Sequence, residues 1–151
     1  MCSYCGCEAE AVIAELMADH AQLANLAHLA RQALVDGDLG IANEQCARIA
    51  RLFAVHGKKE EEGLFAELRL DPIATEAVEE LEAEHRRLDS ALSTGPSDLG
   101  AAGFAYILDL LAAHAEREDT DVFPVALQVL PNEAWDRMAK AQESLAGQAI
   151  S

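Results

Sequence analysis

Two short segments of the chain combine a histidine and a glutamate at the same spacing. His56 is followed four residues later by Glu60, and His114 is followed four residues later by Glu118. Residues four apart lie on the same face of a helix, so each pair would point both side chains at one place. Imidazole and carboxylate together are ligands that suit iron, manganese or zinc. The spacing therefore indicates metal binding.

The two pairs belong to a longer internal repeat. Segment 56–65 matches segment 114–123 at six positions in residue type and offset. The regions that precede them also correspond, because Asp19-His20 and Glu84-His85 are flanked by leucines at the same offsets. A helix with one histidine is thus followed by a helix with His-x-x-x-Glu, and this order occurs twice. The repeat predicts two related helical hairpins around a pseudo-twofold axis.

The repeat also predicts where the metal would lie. Each of the four histidines falls within the apolar stripe of its helix, which places it in the core. Two facing buried carboxylates repel, and each costs several kcal/mol, roughly, without a partner. Two divalent ions would relieve this repulsion, each with two imidazoles and a share in two bridging carboxylates. The predicted ligands are His20, His56, Glu60, His85, His114 and Glu118.

The elements that position these residues are predicted to be helices. Half of the residues are apolar (51%), and most of these are Ala and Leu, which favour helices over strands. Short loops between long helices imply antiparallel neighbours, so we expect an all-α, up-down-up-down four-helix bundle with a short C-terminal helix. The expected helices cover about 10–35, 41–70, 73–92, 98–127 and 133–145.

The domain organisation follows from this helix prediction. We expect a cysteine-containing N-terminal segment at 1–9, the four-helix bundle at 10–127, and a short helix with a tail at 128–151. Cys2, Cys5 and Cys7 form a redox dithiol or a soft-metal anchor, or they are reduced thiols at a frayed terminus.

The charge of the chain limits its partners. The formal net charge is −16, which repels phosphate backbones and anionic lipids, so nucleic acid and membrane are not expected partners. This charge serves solubility or draws in cations. The N-terminus lacks the pattern of a secretory signal, and the most apolar stretch, 99–115, is too short to span a bilayer. We therefore expect a cytoplasmic protein.

Some residues near the predicted site are assigned to ordinary roles. Glu61 and Glu62 are expected to be solvated or paired with Lys58 and Lys59. His28 is turned about 80° from His20 on a helix of 3.6 residues per turn, so we expect it on the surface.

The two repeated segments resemble the signatures of the hemerythrin-like family, the HHE cation-binding domains. The resemblance covers roughly the first 125 residues and rests on 56–65 and 114–124. It implies a non-haem di-iron centre reactive toward oxygen, nitric oxide or peroxide, with manganese or zinc less favoured. It also implies that the four histidines are terminal ligands and that Glu60 and Glu118 bridge the ions.

The chain departs from the oxygen-carrying hemerythrins at two points. Those proteins have a fifth histidine in a His-x-x-x-His pair on the third helix, whereas Leu81 and Asp89 stand at that spacing from His85. They also use a carboxylate five residues after the last histidine. Here Glu118 (four after) competes with Asp119 (five after), and Glu118 is favoured because it repeats the first segment. One ligand fewer leaves the site more open, which suits reactive or iron-donating relatives.

Three functions are compatible with these features. The favoured one is a di-iron protein that binds or consumes a small oxidant (O₂, NO or peroxide) in stress response or sensing, with enzymatic turnover left open. The alternative is an iron-storage or iron-donor module without turnover, whose partner would be an iron-acceptor protein. The third is an interaction protein in which the metals only brace the bundle. The first would require a small diatomic or peroxide ligand and a redox partner.

Overall fold

The computed structural model describes residues 7–150, and it contains no strand in this range. The helical segments are α1 (Cys7–Asp36), α2 (Leu39–Lys59), α3 (Phe65–Leu68), α4 (Thr75–Arg117), α5 (Phe123–Val129) and α6 (Asn132–Ile150). The predicted all-α class is confirmed. The roles predicted for the thiols of Cys2, Cys5 and Cys7 concern side chains outside the described part of the chain.

Two wide turns lie inside the predicted second and fourth helices. Glu60–Leu64 joins α2 to α3, and Glu118–Val122 joins α4 to α5, both as π-helical turns. In each turn the backbone carbonyl of the glutamate accepts a hydrogen bond from the N–H of the phenylalanine five residues on. Such turns insert one residue into a helix and are frequent at functional sites. Here each begins at the glutamate of a His-x-x-x-Glu pair.

The element α4 consists of two arms. Gly95 (φ 81°, ψ 170°) and Gly100 (φ 78°, ψ 164°) leave the helical conformation. Both have positive φ, which glycine adopts without the steric cost that a Cβ would bring. The first arm covers 75–94 and the second covers 101–117, so they correspond to the predicted third and fourth helices. The gap at 93–97 between these two predicted helices contains the first of the two breaks, at Gly95.

The core consists of two apolar clusters on either side of a polar layer. One cluster includes Leu16 and Leu81, and the other includes Leu23 and Leu88. His20 lies between the two leucines of α1, and His85 lies between the two leucines of α4. The histidines therefore separate the two clusters. The helix α6, longer than the predicted 133–145, closes the first cluster with the buried side chains of Trp135 and Met138.

Cys46 behaves as an ordinary helix thiol. Its side chain is buried, its Sγ donates to the carbonyl oxygen of Leu92 at 3.3 Å, and burial raises its pKa. In the described range of the chain, no helix is both long and apolar enough to cross a membrane.

Candidate metal centre

The six residues predicted as ligands lie together in one buried layer. They form two groups that could each hold a metal ion, and one nitrogen or oxygen atom from every member of a group lies within 4.8 Å of the others. Glu60 and Glu118 are common to both groups. The groups are His20, His56, Glu60 and Glu118, and Glu60, His85, His114 and Glu118.

The two histidines of each group face one another through Nε2. This atom of His20 lies 3.1 Å from that of His56, and His85 and His114 have the same Nε2–Nε2 separation. Two ligand atoms about 2.1 Å from one ion and roughly 90–110° apart would lie about 3.0–3.4 Å from each other. The observed separations therefore fit two imidazoles on one ion in each group.

The two glutamates each contact both histidine pairs. Glu60 places Oε2 at 3.3 Å from Nε2 of His56 and Oε1 at 3.0 Å from Nε2 of His85. Glu118 places Oε1 at 3.0 Å from Nε2 of His20 and at 3.5 Å from Nε2 of His114. Each glutamate therefore lies within reach of both groups, as a shared ligand would.

The glutamate oxygens are not satisfied by hydrogen bonds. Both oxygens of Glu60 and Oε2 of Glu118 are buried. None of these three atoms has a hydrogen-bond partner in the described part of the chain. The contacts of Glu60 with the imidazoles are short but lack hydrogen-bond geometry. A buried carboxylate without a partner is costly, so a positive charge beside these oxygens would stabilise the folded protein. Two divalent cations fit the residues that are present.

A carboxylate lies at Nδ1 of every histidine in the layer. Such a partner keeps the proton on Nδ1, orients the ring and leaves Nε2 free to bind a metal. The four N–O distances are 2.8 Å for His20 and Asp119, 3.0 Å for His56 and Asp19, 3.2 Å for His85 and Glu61, and 2.7 Å for His114 and Glu84.

None of these four carboxylates was predicted from the sequence to support a histidine. The internal repeat could have indicated them, because one acid directly precedes His20 and another directly precedes His85. A further acid directly follows each of the two shared glutamates. Glu61 is exposed, in agreement with the expectation that it is solvated, but it also contacts Nδ1 of His85. The other assignment agrees with the structure: His28 is exposed and lies outside both groups.

The carboxylates control the protonation of the layer. Burial acts to lower the pKa of His20, His56 and His85, but hydrogen bonds and charge from the acids outweigh it and raise all three. Burial acts to raise the pKa of Glu60, but His56 and His85 hold it well below its usual range. Burial prevails at His114 and lowers its pKa. Metal ions would compete with protons for the Nε2 atoms of these histidines.

Aromatic rings enclose the layer in a pattern that follows the repeat. Phe65 stacks on His85 with ring centroids 5.5 Å apart, and Phe123 stacks on His20 at 5.7 Å. Phe53 presents its edge to His85 at 5.4 Å. The three phenylalanines are buried, so they hold the imidazole rings in place and exclude water from them.

A cavity of about 630 Å³ lies between α1 and the second arm of α4. It reaches His20 and Asp119, whereas His56, Glu60 and Glu118 have no exposed surface. Most of its surface is apolar, so it can admit a small molecule to the edge of the layer. The alanines that line it are Ala21, Ala24, Ala27, Ala112 and Ala115.

The comparisons with known proteins gave one match. A family model for the hemerythrin HHE cation binding domain matches residues 11–126, a range that includes all six residues of the layer. Neither the comparison with curated proteins nor that with solved structures found a matching protein.

Proposed function

This chain belongs to the hemerythrin HHE cation-binding domain family, and from this premise we propose that it is a non-haem di-iron protein. It binds or reacts with a small oxidant, either O₂, NO or peroxide, in stress response or sensing. The observation that carries the proposal is the pair of four-residue groups that share Glu60 and Glu118. Two ions in one buried layer account for the shared glutamates and for their unsatisfied oxygens.

The proposed ligand set assigns two histidines to each ion. His20 and His56 would hold one ion, His85 and His114 the other, and both glutamates would bridge. Imidazole with carboxylate suits iron, manganese or zinc, and membership of this family favours iron among the three. When bound, two ferrous ions would supply electrons and an open position for the oxidant.

The protein's own residues would prepare the site for this reaction. The supporting carboxylates fix the imidazoles before any ligand arrives, which removes an ordering cost from binding. The phenylalanines keep bulk water away from the imidazole rings. The cavity beside His20 has a mostly apolar wall, so it would admit a small neutral molecule to the edge of the layer.

The test is the metal content of the protein. Protein purified without added metal is analysed for iron, manganese and zinc by elemental mass spectrometry. We expect close to two irons per chain, and a His28→Ala variant should match the wild type because His28 is exposed and outside the layer. Less than half an equivalent of any metal, persisting after anaerobic iron loading, would contradict the proposal. Consumption of O₂, NO and peroxide by the loaded protein then identifies the oxidant.

One alternative function is supported by a specific observation. The cavity reaches His20 and has Glu116 and Asp119 in its wall, so an ion could leave the layer on this side. An iron-storage or iron-donor module would use this route and would not consume oxidant. Rapid transfer of iron to an apo-protein acceptor, without consumption of O₂, NO or peroxide, would favour it.

The remaining expectations stay predictions. We propose that the helices run in up-down-up-down order and that the domain boundaries lie near residues 10 and 127. A redox protein or an iron acceptor is the proposed protein partner, with no nucleic acid and no membrane. The cytoplasmic location is likewise a prediction.

A further inference from the structure

Two cationic side chains lie against the supporting carboxylates. Lys59 Nζ is 3.0 Å from Oδ2 of Asp19, the oxygen that also contacts Nδ1 of His56. Arg117 Nη1 is 3.0 Å from Oε2 of Glu84. The other oxygen of Glu84 contacts the histidine of the second arm, so the two arrangements match each other across the repeat.

The position of these cations in the chain is regular. Lys59 immediately precedes Glu60 and Glu61, and Arg117 immediately precedes Glu118 and Asp119. The cation of each triplet contacts the acid that supports the histidine on the same helix as that cation. The last acid of each triplet supports a histidine on a neighbouring helix. The two triplets therefore connect all four histidines through carboxylates.

The four supports differ in how their charge is balanced. The carboxylate of Asp19 is 12% exposed and that of Glu84 is 21% exposed, and each has a cation. Glu61 (39%) and Asp119 (30%) are more open to water, and among residues 7–150 no lysine or arginine forms an ion pair with either. Water screens the more exposed supports, whereas Lys59 and Arg117 neutralise the more buried ones.

The charges of the layer support this interpretation. The two shared glutamates and the four supporting carboxylates together carry six negative charges, and Lys59 and Arg117 supply two positive ones. Lys59 also lies 3.3 Å from the carboxylate of Glu15, so its charge is shared. Two divalent ions would offset most of the remaining negative charge when all four imidazoles are neutral. Loss of Lys59 or Arg117 would leave the layer more negative.

We propose that Lys59 and Arg117 are positioning residues of the metal centre. Lys59 fixes Asp19 and through it His56, and Arg117 fixes Glu84 and through it His114. This inference rests on the proposed two-metal centre. Each cation serves one of the two groups, so each sets the affinity of one ion.

The test compares variants that remove the same charge. Lys59→Met and Arg117→Met each lose one positive charge, as do the controls Lys58→Met and Arg87→Met, whose side chains are exposed. Metal-free protein is titrated with Zn²⁺ against a competing chelator. We expect Lys59→Met to bind one of its two ions about tenfold more weakly, and Arg117→Met to do the same. The controls should bind both ions as the wild type does.

The sign of the change is diagnostic. Loss of a positive charge near the layer would by itself strengthen the binding of a cation, so weaker binding requires a loss of positioning. Rescue by Lys59→Arg and Arg117→Lys should follow, because these variants keep a cationic donor. Equal affinities in the variants and their controls, or an increase in affinity, would overturn the proposal.

A second measurement does not depend on bound metal. The Nδ1–H of His56 is followed by nitrogen-15 NMR in the metal-free protein, where Lys59→Met should accelerate its exchange and Lys58→Met should not. Unchanged exchange would also overturn the proposal. Should Lys59→Met not fold, Lys59→Gln, which keeps a donor of smaller reach, replaces it. A wild-type protein that binds no Zn²⁺ would instead contradict the proposed function, and the exchange measurement would still decide the role of Lys59.

Discussion

Asp119 and His20 meet through Oδ1 and Nδ1 at 2.8 Å, on the opposite side of the imidazole from Glu118, which lies 3.0 Å from Nε2. The sequence left Glu118 and Asp119 as competing ligands, and the structure gives them different positions. Glu118 belongs to both four-residue groups, whereas Asp119 supports His20 from outside the layer. Consecutive residues of one π-helical turn thus hold the same ring at its two nitrogens.

The two acids should differ in their effect on metal binding. Glu118→Gln removes a bridging carboxylate and should reduce the metal content below one ion per chain. Asp119→Asn should keep two ions but bind one of them about 10–100-fold more weakly, the usual cost of losing an outer carboxylate partner. The measurement is a chelator competition with elemental analysis. Asp121→Asn, at an exposed position of the same turn, is the control and should match the wild type.

Removal of the metal should destabilise the fold. Ions that bind only the folded state stabilise it by about 2.7 kcal/mol per site when their free concentration is about 100 times Kd. For a chain of this size, that corresponds to a rise in Tm of about 5–10 °C for one site. Thermal unfolding is recorded with a chelator and again after metal is returned. A Glu60→Gln, Glu118→Gln double variant should not respond, and a wild-type Tm that is unaffected by the chelator would contradict the prediction.

The cavity beside His20 should control access to the layer. Ala112 lines it, and a phenylalanine at this position would fill part of its space. We expect Ala112→Phe to keep its metal and to react with the small oxidant at least several-fold more slowly in stopped-flow measurements. Ala113→Phe adds the same ring at an adjacent exposed position that does not line the cavity. Equal rates for the two variants would argue for another entry route.

Phe53 should make a large contribution to stability. It is 1% exposed in the second apolar cluster and presents its edge to His85 and His114. Phe53→Ala should lower the free energy of unfolding by about 3–5 kcal/mol, the usual cost of truncating a buried phenylalanine. Tyr106→Ala, at a residue that is 61% exposed, should change it by less than about 0.5 kcal/mol. Urea unfolding of the metal-loaded protein measures both.

The sequence by itself determined the helical class and the six residues of the layer. Both depend on relations within one helix: apolar residues at three- and four-residue steps, and His56 with Glu60 at a spacing that puts them on one face. Such relations follow from helix geometry and need no knowledge of neighbouring helices. The internal repeat then indicated that two such pairs belong to one site. The role of the six residues as ligands stays a prediction.

Only the tertiary structure decided which residues meet across helices. His20 and Asp119 are 99 positions apart, and His56 and Asp19 are 37 apart, so no local spacing specifies their contacts. The π-helical turns matter as well, because an inserted residue shifts the helix face on which every later residue lies. The roles of Asp119 as a support and of Lys59 as a partner of Asp19 therefore depend on how the helices pack, and packing is a property of the whole chain.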